Sequence, residues 1–200
     1  SHIATITREL LQDSAFSWEQ IIGELLAVRL KRKQAVDFTT GDGAAKPYGI
    51  VTTAATGVSA ASASAIVFDD LLGLEHSVDP DLRIGASFMF NDAILLALKK
   101  LKDGTANYIW KPGTVPGAPS IIDGFPYYIN QSMASTMTGS AISVLFGNMK
   151  AYKIRDVADI VVRRSDEYAF TTNKVAFVAE MRSDGNLLNP GVAPIKKLTH

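Results

Sequence analysis

The chain has 200 residues, with 20 basic and 20 acidic side chains, no cysteine and a mean hydropathy of +0.12. A net charge of zero leaves no global field to recruit nucleic acid or an anionic membrane, and no apolar run reaches the ~18–20 residues of a membrane span. Without cysteine there are no disulfides, no thiolate zinc sites and no cysteine nucleophile. The length fits one domain or two modest ones, and a chain of this size buries about 70% of its unfolded surface.

In chain order, "IATIT" (3–7) alternates like a strand but has no strand partner near it in sequence. Residues 16–38 read as a long helix. Ser17 and Gln20 fit an S-x-x-Q capping box, Phe16 and Ile21 fit the hydrophobic staple around it, and Trp18, Ile21, Ile22, Leu25 and Leu26 form an apolar face. Arg29, Lys31, Arg32 and Lys33 read as the solvated C-terminal part of this helix rather than a nucleic-acid patch, because successive helical charges point in different directions.

"GDGAAKPYGI" (41–50) invites comparison with a phosphate-binding loop, and fails it. Lys46 is followed by Pro47, which has no N–H to donate, no Ser or Thr follows, and the loop comes after a helix rather than after a strand. A sharp turn that redirects the chain is the better reading. The small polar stretch 51–65 is expected to be flexible or weakly extended, and 66–78 is expected to be helical with Phe68, Leu71, Leu72 and Val78 on one side. "ASFMF" (86–90) reads as a buried strand. It runs into a helix capped by Asn91, with Asp92 in its first turn, Lys99, Lys100 and Lys102 in its last, and Gly104 at its end. After the Pro/Gly-rich loop 111–119, strands are expected at 125–130, 141–147, 151–154, 159–164 and 174–182, with "SDG" (183–185) as a turn. The class is α+β.

Catalytic chemistry has no natural centre. His2 and His200 lie at the chain ends, and His76 reads as a surface or half-buried helix residue. Asp69–Asp70, Asp79/Asp81 and Asp166–Glu167 fall at turns and helix starts, where carboxylates serve as caps. No metal site and no cofactor are implied.

The order of motifs resembles the major capsid protein family of tailed bacteriophages, with the Hong Kong 97-type shell fold. The matching segments are Glu9-Leu10-Leu11-Gln12-Asp13-Ser14 leading into the long helix, and Gly41-Asp42-Gly43 with Pro47 and Gly49-Ile50. Further matches are "ASFMFNDAILLALKKLKDGTANYIW", "IIDGFPYYINQSM" and "TTNKVAFVAEMRSDGNLLNPGVAPIKKL", so the likeness runs from residue 6 to residue 198.

The resemblance implies an α+β Hong Kong 97-like capsid fold. A peripheral lobe with a long spine helix is expected from residues 1–47 and 145–187. An axial lobe, with a central sheet flanked by helices, is expected from 48–144, with 188–200 returning to it. Gly41, Gly43, Pro47 and Gly49 would form the junction, the glycines permitting positive φ and the proline stiffening the turn. The function implied is a structural subunit of a bacteriophage or prophage icosahedral head, non-enzymatic, assembling with itself into pentamers and hexamers. Its implied partners are a scaffolding segment or protein, portal, maturation protease and packaged double-stranded DNA, with no membrane. Assembly in the bacterial host cytoplasm ends in the virion capsid.

Family members carry an N-terminal arm and a two-stranded extension before the spine helix, so the resemblance implies a core in which "IATIT" is the remnant of the extension. Some members weld their shells through Lys–Asn bonds promoted by a Glu. The Asn and Glu of that motif fall on Asn173 and Glu180, and the favoured reading here is a strand-end Asn and a Glu paired with Arg182 or another basic residue. The alternatives are an encapsulin-type compartment shell and a small α+β ligand-binding or enzyme domain using loops 41–50 and 111–119.

Overall fold

The computed structural model describes residues 2–13, 17–102, 105–109, 121–157, 159–189 and 191–200. Strand β1 (His2–Thr7) leads through the short helix α1 (Arg8–Asp13) to the long helix α2 (Trp18–Thr40). α2 lies on the three-stranded antiparallel sheet β1–β9–β8, made with β8 (Val161–Ala169) and β9 (Lys174–Glu180). The strand that lacked a sequence neighbour is therefore paired, with Ile3 opposite Val178 and Ile6 opposite Val175. Ile22 and Leu26 of α2 pack on Val175, Phe177 and Ala179 of β9.

α2 departs from expectation in three ways. The capping box does not form: no side chain caps the helix, and the first turn closes through Gln20 N–H and Ile21 N–H to the Ser17 carbonyl. Gln20 instead donates its side-chain amide to Glu24, 3.2 Å away, one turn further on. Second, only one edge of the predicted apolar face is covered. Ile22 and Leu26 are buried, while Leu25 is 58% exposed. Third, the helix continues to Thr40, so Arg29–Lys33 sit in its middle and no basic residue occupies its last turn. Phe16, half of the expected staple, lies outside the described residues.

The main core surrounds a six-stranded sheet in the order β2–β11–β6–β3–β5–β4. Its strands are β2 (Ala55–Ser59), β3 (Ser87–Phe90), β4 (Ile121–Ile122), β5 (Phe125–Ile129), β6 (Ile142–Gly147) and β11 (Ile195–Thr199). β11 runs parallel to β2 and antiparallel to β6, and β3 runs antiparallel to β6 and parallel to β5. Helices α4 (Phe68–Ser77) and α5 (Asp92–Lys99) supply Leu71, Leu74, Ile94, Leu95 and Leu98 to its cluster. Phe146 is fully buried there, with Phe88 4.5 Å and Phe125 5.1 Å away between ring centroids. Asn91 caps α5 as expected, its side-chain oxygen accepting from Ala93 N–H at 3.0 Å. The helix ends at Lys99 with Lys100 as its C-cap; Gly104, the expected end, lies outside the described residues together with the loop 111–119.

Two further segments differ in part from expectation. The stretch expected to be flexible or weakly extended contains a helical turn, α3 (Ile50–Thr53), which was not expected, and then the extended strand β2. Its small residues serve packing: a Cβ on Gly57 would come within 2.6 Å of Ser77 Oγ and 2.9 Å of Leu74 on the overlying α4. "SDG", expected as a turn, opens β10 (Ser183–Leu187), which pairs antiparallel with β7 (Tyr152–Asp156). Both segments are strands because of distant partners, which local composition does not record.

Truncating Phe146 to alanine removes the ring at the centre of the aromatic trio. It is expected to cost about 3–5 kcal/mol of unfolding free energy by chemical denaturation.

Candidate functional site

The functional feature that the sequence singles out is the turn after α2. Gly41 N–H donates to the Asp37 carbonyl at 2.8 Å, which ends the helix, and Gly49 N–H donates to the Gly41 carbonyl at 2.9 Å, which closes the turn. Asp42 and Tyr48 bridge in antiparallel fashion between these points. Within the loop, Asp42 Oδ1 accepts from Ala44 N–H at 3.0 Å, and Lys46 lies 3.9 Å from Asp42. The Ala44 N–H and then Lys46 hold the exposed Asp42 carboxyl below its ordinary pKa.

The glycines do not all act as expected. Only Gly43 has positive φ, at +78°, and Ala45 beside it also does, at +57°. Gly41 (φ −60°, ψ 147°) and Gly49 (φ −70°, ψ 147°) are extended, a conformation open to any residue. Their constraint is space. A Cβ on Gly41 would meet the Pro47 carbonyl oxygen at 2.1 Å, and one on Gly49 would meet Gly41 N at 2.5 Å and the Thr39 carbonyl oxygen at 2.6 Å. These obstacles are backbone and cannot rotate away.

Three contacts fasten the turn to the rest of the chain. Tyr48 N–H donates to the Gly185 carbonyl at 3.1 Å, which joins the turn to β10. The Tyr152 hydroxyl donates to the Tyr48 carbonyl at 2.7 Å, and the Tyr152 ring meets Phe38 edge-on with centroids 6.2 Å apart. Burial, and then the Asp184 charge, push the Tyr152 hydroxyl up to about 12, so it stays a donor throughout the neutral range. Asn130, directly after β5, donates its side-chain amide to the hydroxyl of buried Thr39 at 2.9 Å, and that hydroxyl donates to the Ala35 carbonyl at 2.7 Å. Asn91 holds the same stretch through the Gln131 and Met133 carbonyls, at 3.2 and 3.0 Å. Thr39, Asn130 and Tyr152 escaped the sequence reading because their partners lie far along the chain; Thr39 and Asn130 are 91 residues apart.

The other candidates take structural roles. His76 is exposed on α4. His200 is tied down rather than frayed: its Nδ1–H donates to the Ser62 carbonyl at 3.1 Å, and its Nε2 accepts from the Ser143 hydroxyl at 2.8 Å. Ser143 is fully buried, and a carbonyl stands where a catalytic triad has a carboxylate, so this pair clamps β11 and β6 without presenting a nucleophile. Asp70 accepts from the backbone N–H groups of Ala61 and Val67, and Asp79 accepts from Asp81 N–H. Asp166 binds Arg164, which also meets Glu19. Asn173 sits in the left-handed region at φ 54° between β8 and β9, and its carbonyl accepts from Arg8 N–H. Glu180, at the far end of β9, pairs with Arg163 at 3.9 Å rather than with Arg182. Among the described residues no cluster of three potential metal ligands occurs, and no helix is long and apolar enough to cross a membrane.

The phage capsid family model matches residues 1–200. The chain belongs to the phage capsid family. This capsid subunit is similar to the chain in the capsid of an empty GTA particle, with a TM-score of 0.88 and 26% identity over 99% of this chain and 71% of that one. Microbacterium phage Oxtober96 (TM-score 0.73, 17% identity, covering 99% and 70%) and Gordonia phage Cozz (0.69, 16%, 99% and 68%) share its fold. No curated protein sequence matches it. The capsid subunit is a structural, self-assembling protein of the α+β capsid fold.

Two substitutions separate a packing turn from a ligand loop. Gly49→Ala is expected to destabilise the fold by at least about 1–3 kcal/mol through backbone overlap. Lys46→Ala is expected to shift thermal or denaturant unfolding by no more than about 0.5 kcal/mol.

Proposed function

We propose that the chain is the shell-building subunit of a bacteriophage or prophage head. It associates into pentamers and hexamers that close into an icosahedral shell around double-stranded DNA. The observation that carries this reading is the likeness of 99% of this chain to 71% of the GTA capsid chain, on a frame whose polar constellations are spent on caps and clamps. DNA contact in this reading is without sequence preference, in keeping with the balanced charge. A scaffolding segment or protein, a portal and a maturation protease complete the assembly, which takes place in the host cytoplasm.

Within the subunit, residues 1–47 and 145–187 are read as a peripheral lobe and 48–144 as an axial lobe, with 188–200 returning to the axial lobe. Gly41, Gly43, Pro47 and Gly49 mark the junction between them. Separate hydrophobic clusters around Leu26, Val175 and Phe177, and around Phe88, Phe90 and Ile94, support the division. The subunit has no enzymatic activity in this reading. Asn173 serves its turn and Glu180 its ion pair with Arg163, and neither takes part in a cross-link.

Electron microscopy of the full-length protein after expression is the test. Closed shells of uniform size are expected, and denaturing electrophoresis of those shells is expected to give a single monomer band. A soluble monomer with measurable nucleotide or metal affinity would overturn the shell reading, and a covalent ladder would overturn the roles given to Asn173 and Glu180.

A further inference from the structure

Strand β8 lies at the edge of its three-stranded sheet, with β9 on one side and, among the described residues, no strand on the other. It is nine residues long and mostly exposed, Val161, Val162 and Tyr168 by 45%, 40% and 68%. A long, partly apolar edge is a template for pairing with another chain. The register shift between Ser165 and Ala169 adds local twist and leaves Asp166, Glu167 and Tyr168 without a partner on β9. A twisted edge admits an arbitrary strand poorly, so its partner must be specified by side chains. The strand reads "VVRRSDEYA". Laid antiparallel on itself about Ser165, it sets Arg164 opposite Asp166 of a second copy, Arg163 opposite Glu167, and Val162 opposite Tyr168. Four opposite-charge pairs then form across one two-fold axis. Sliding by one residue keeps only two opposite-charge pairs, and sliding by two sets Arg164 or Asp166 against itself. A parallel, in-register pairing opposes like charges throughout, which is destabilising.

We propose that β8 docks antiparallel on β8 of a second copy about a two-fold axis at Ser165, joining two three-stranded sheets into one continuous sheet. Val162 and Arg164 lie opposite Ala179 and Phe177, the β9 residues that α2 covers, and Arg164 also meets Glu19 on α2. Asp166, 3.1 Å from Arg164, shares that face. Arg163, opposite Val178 and 3.9 Å from Glu180, lies on the other. An axis normal to the sheet keeps each charge pair on one face and both copies of α2 on the same side. Every subunit of a closed shell presents the same surface outward, so a shell can contain this two-fold; its place between capsomers rests on the shell reading above. Contacts within a pentamer or hexamer are head-to-tail and do not call for a self-complementary strand. Docking adds a second carboxylate to Arg163 and Arg164, and it gives Glu167, which makes no ion pair among the described residues, its partner. Exposed cross-strand pairs are individually weak, so the isolated pair of chains associates weakly and a shell sums many such contacts.

Charge exchange tests the register. One double variant carries Arg163→Glu and Arg164→Glu, the other Asp166→Arg and Glu167→Arg, and each makes β8 repel its own copy. By sedimentation at low salt, each alone is expected to lose at least about tenfold in self-association. An equimolar mixture is expected to recover it, because the two altered strands complement each other at all four pairs. Ser165→Cys, on the axis, is expected to yield covalent dimers under mild oxidation far faster than Leu25→Cys on exposed α2. A mixture that associated no better than its components would overturn the pairing. So would a Ser165→Cys chain that cross-linked no faster than the Leu25→Cys control, and this arm decides if a double variant fails to fold. Uniform shells of the full-length protein in which Ser165→Cys does not cross-link would remove the strand pairing and leave the shell reading standing. Recovery in the mixture without shells would support the pairing and remove that reading.

Discussion

The backbone contact between Gly41 and Gly49 is the constraint on which the rest of the subunit depends. A 23-residue helix ends at Thr40, and nine residues later the chain passes so close to that end that neither strand of the turn tolerates a Cβ. The Gly49–Gly41 hydrogen bond sets where α3 begins, and α3 delivers the chain to β2 at the edge of the main sheet. Tyr48, held in the turn, carries two of the bonds that draw in β7 and β10. Asn130 then fastens the end of α2 to the end of β5 through Thr39. The direction of the long helix relative to the sheet is thus set by backbone proximity and a few part-buried hydrogen bonds.

Charge contributes little to this arrangement. Among the described residues the ion pairs are at or near the surface: Lys33–Asp37 is a helical i,i+4 pair, and Arg163–Glu180 is 3.9 Å apart with both side chains well exposed. Such pairs contribute about 0–1 kcal/mol each and weaken with salt. The buried polar groups matter more because their positions are specific. Asp70, Asn91 and Thr39 each satisfy backbone or side-chain partners that would otherwise be orphaned on burial. For a shell subunit this is an apt division. Apolar clusters supply stability, and directional hydrogen bonds fix how the end of α2 sits against the neighbouring strands.

Much of this was legible in the sequence, unevenly. α5 with its Asn91 cap, β3, β9 and the long helix are local signals: a cap before an apolar repeat, and short apolar or alternating runs. The need for glycine at 41 and 49 was legible; its reason was not. The residues sit in ordinary extended backbone, and only the folded chain shows that Pro47 and Thr39 occupy the space a side chain would need. β2 and β10 were hidden because their residues are small or turn-forming and become strands by pairing with Ile195–Thr199 and Tyr152–Asp156. The Ser17–Gln20 box does not form: the Ser17 hydroxyl donates to the Gln20 side-chain oxygen at 3.5 Å, so neither side chain accepts a helix-start N–H. His200, at a position where chains fray, is held by Ser62 and Ser143, 138 and 57 residues away. Apart from the capping box, these misses are long-range partners that a local pattern does not encode.

The absence of native cysteine permits a direct test of the central constraint. Spin labels placed at exposed Leu25 on α2 and exposed Tyr128 on β5 report the separation of helix and sheet by pulsed electron paramagnetic resonance. The wild-type turn predicts one narrow distance distribution, unchanged by Lys46→Ala and broadened or shifted by Gly49→Ala. A distribution that stayed narrow and unmoved in Gly49→Ala would contradict the claim that this backbone contact sets the helix against the sheet.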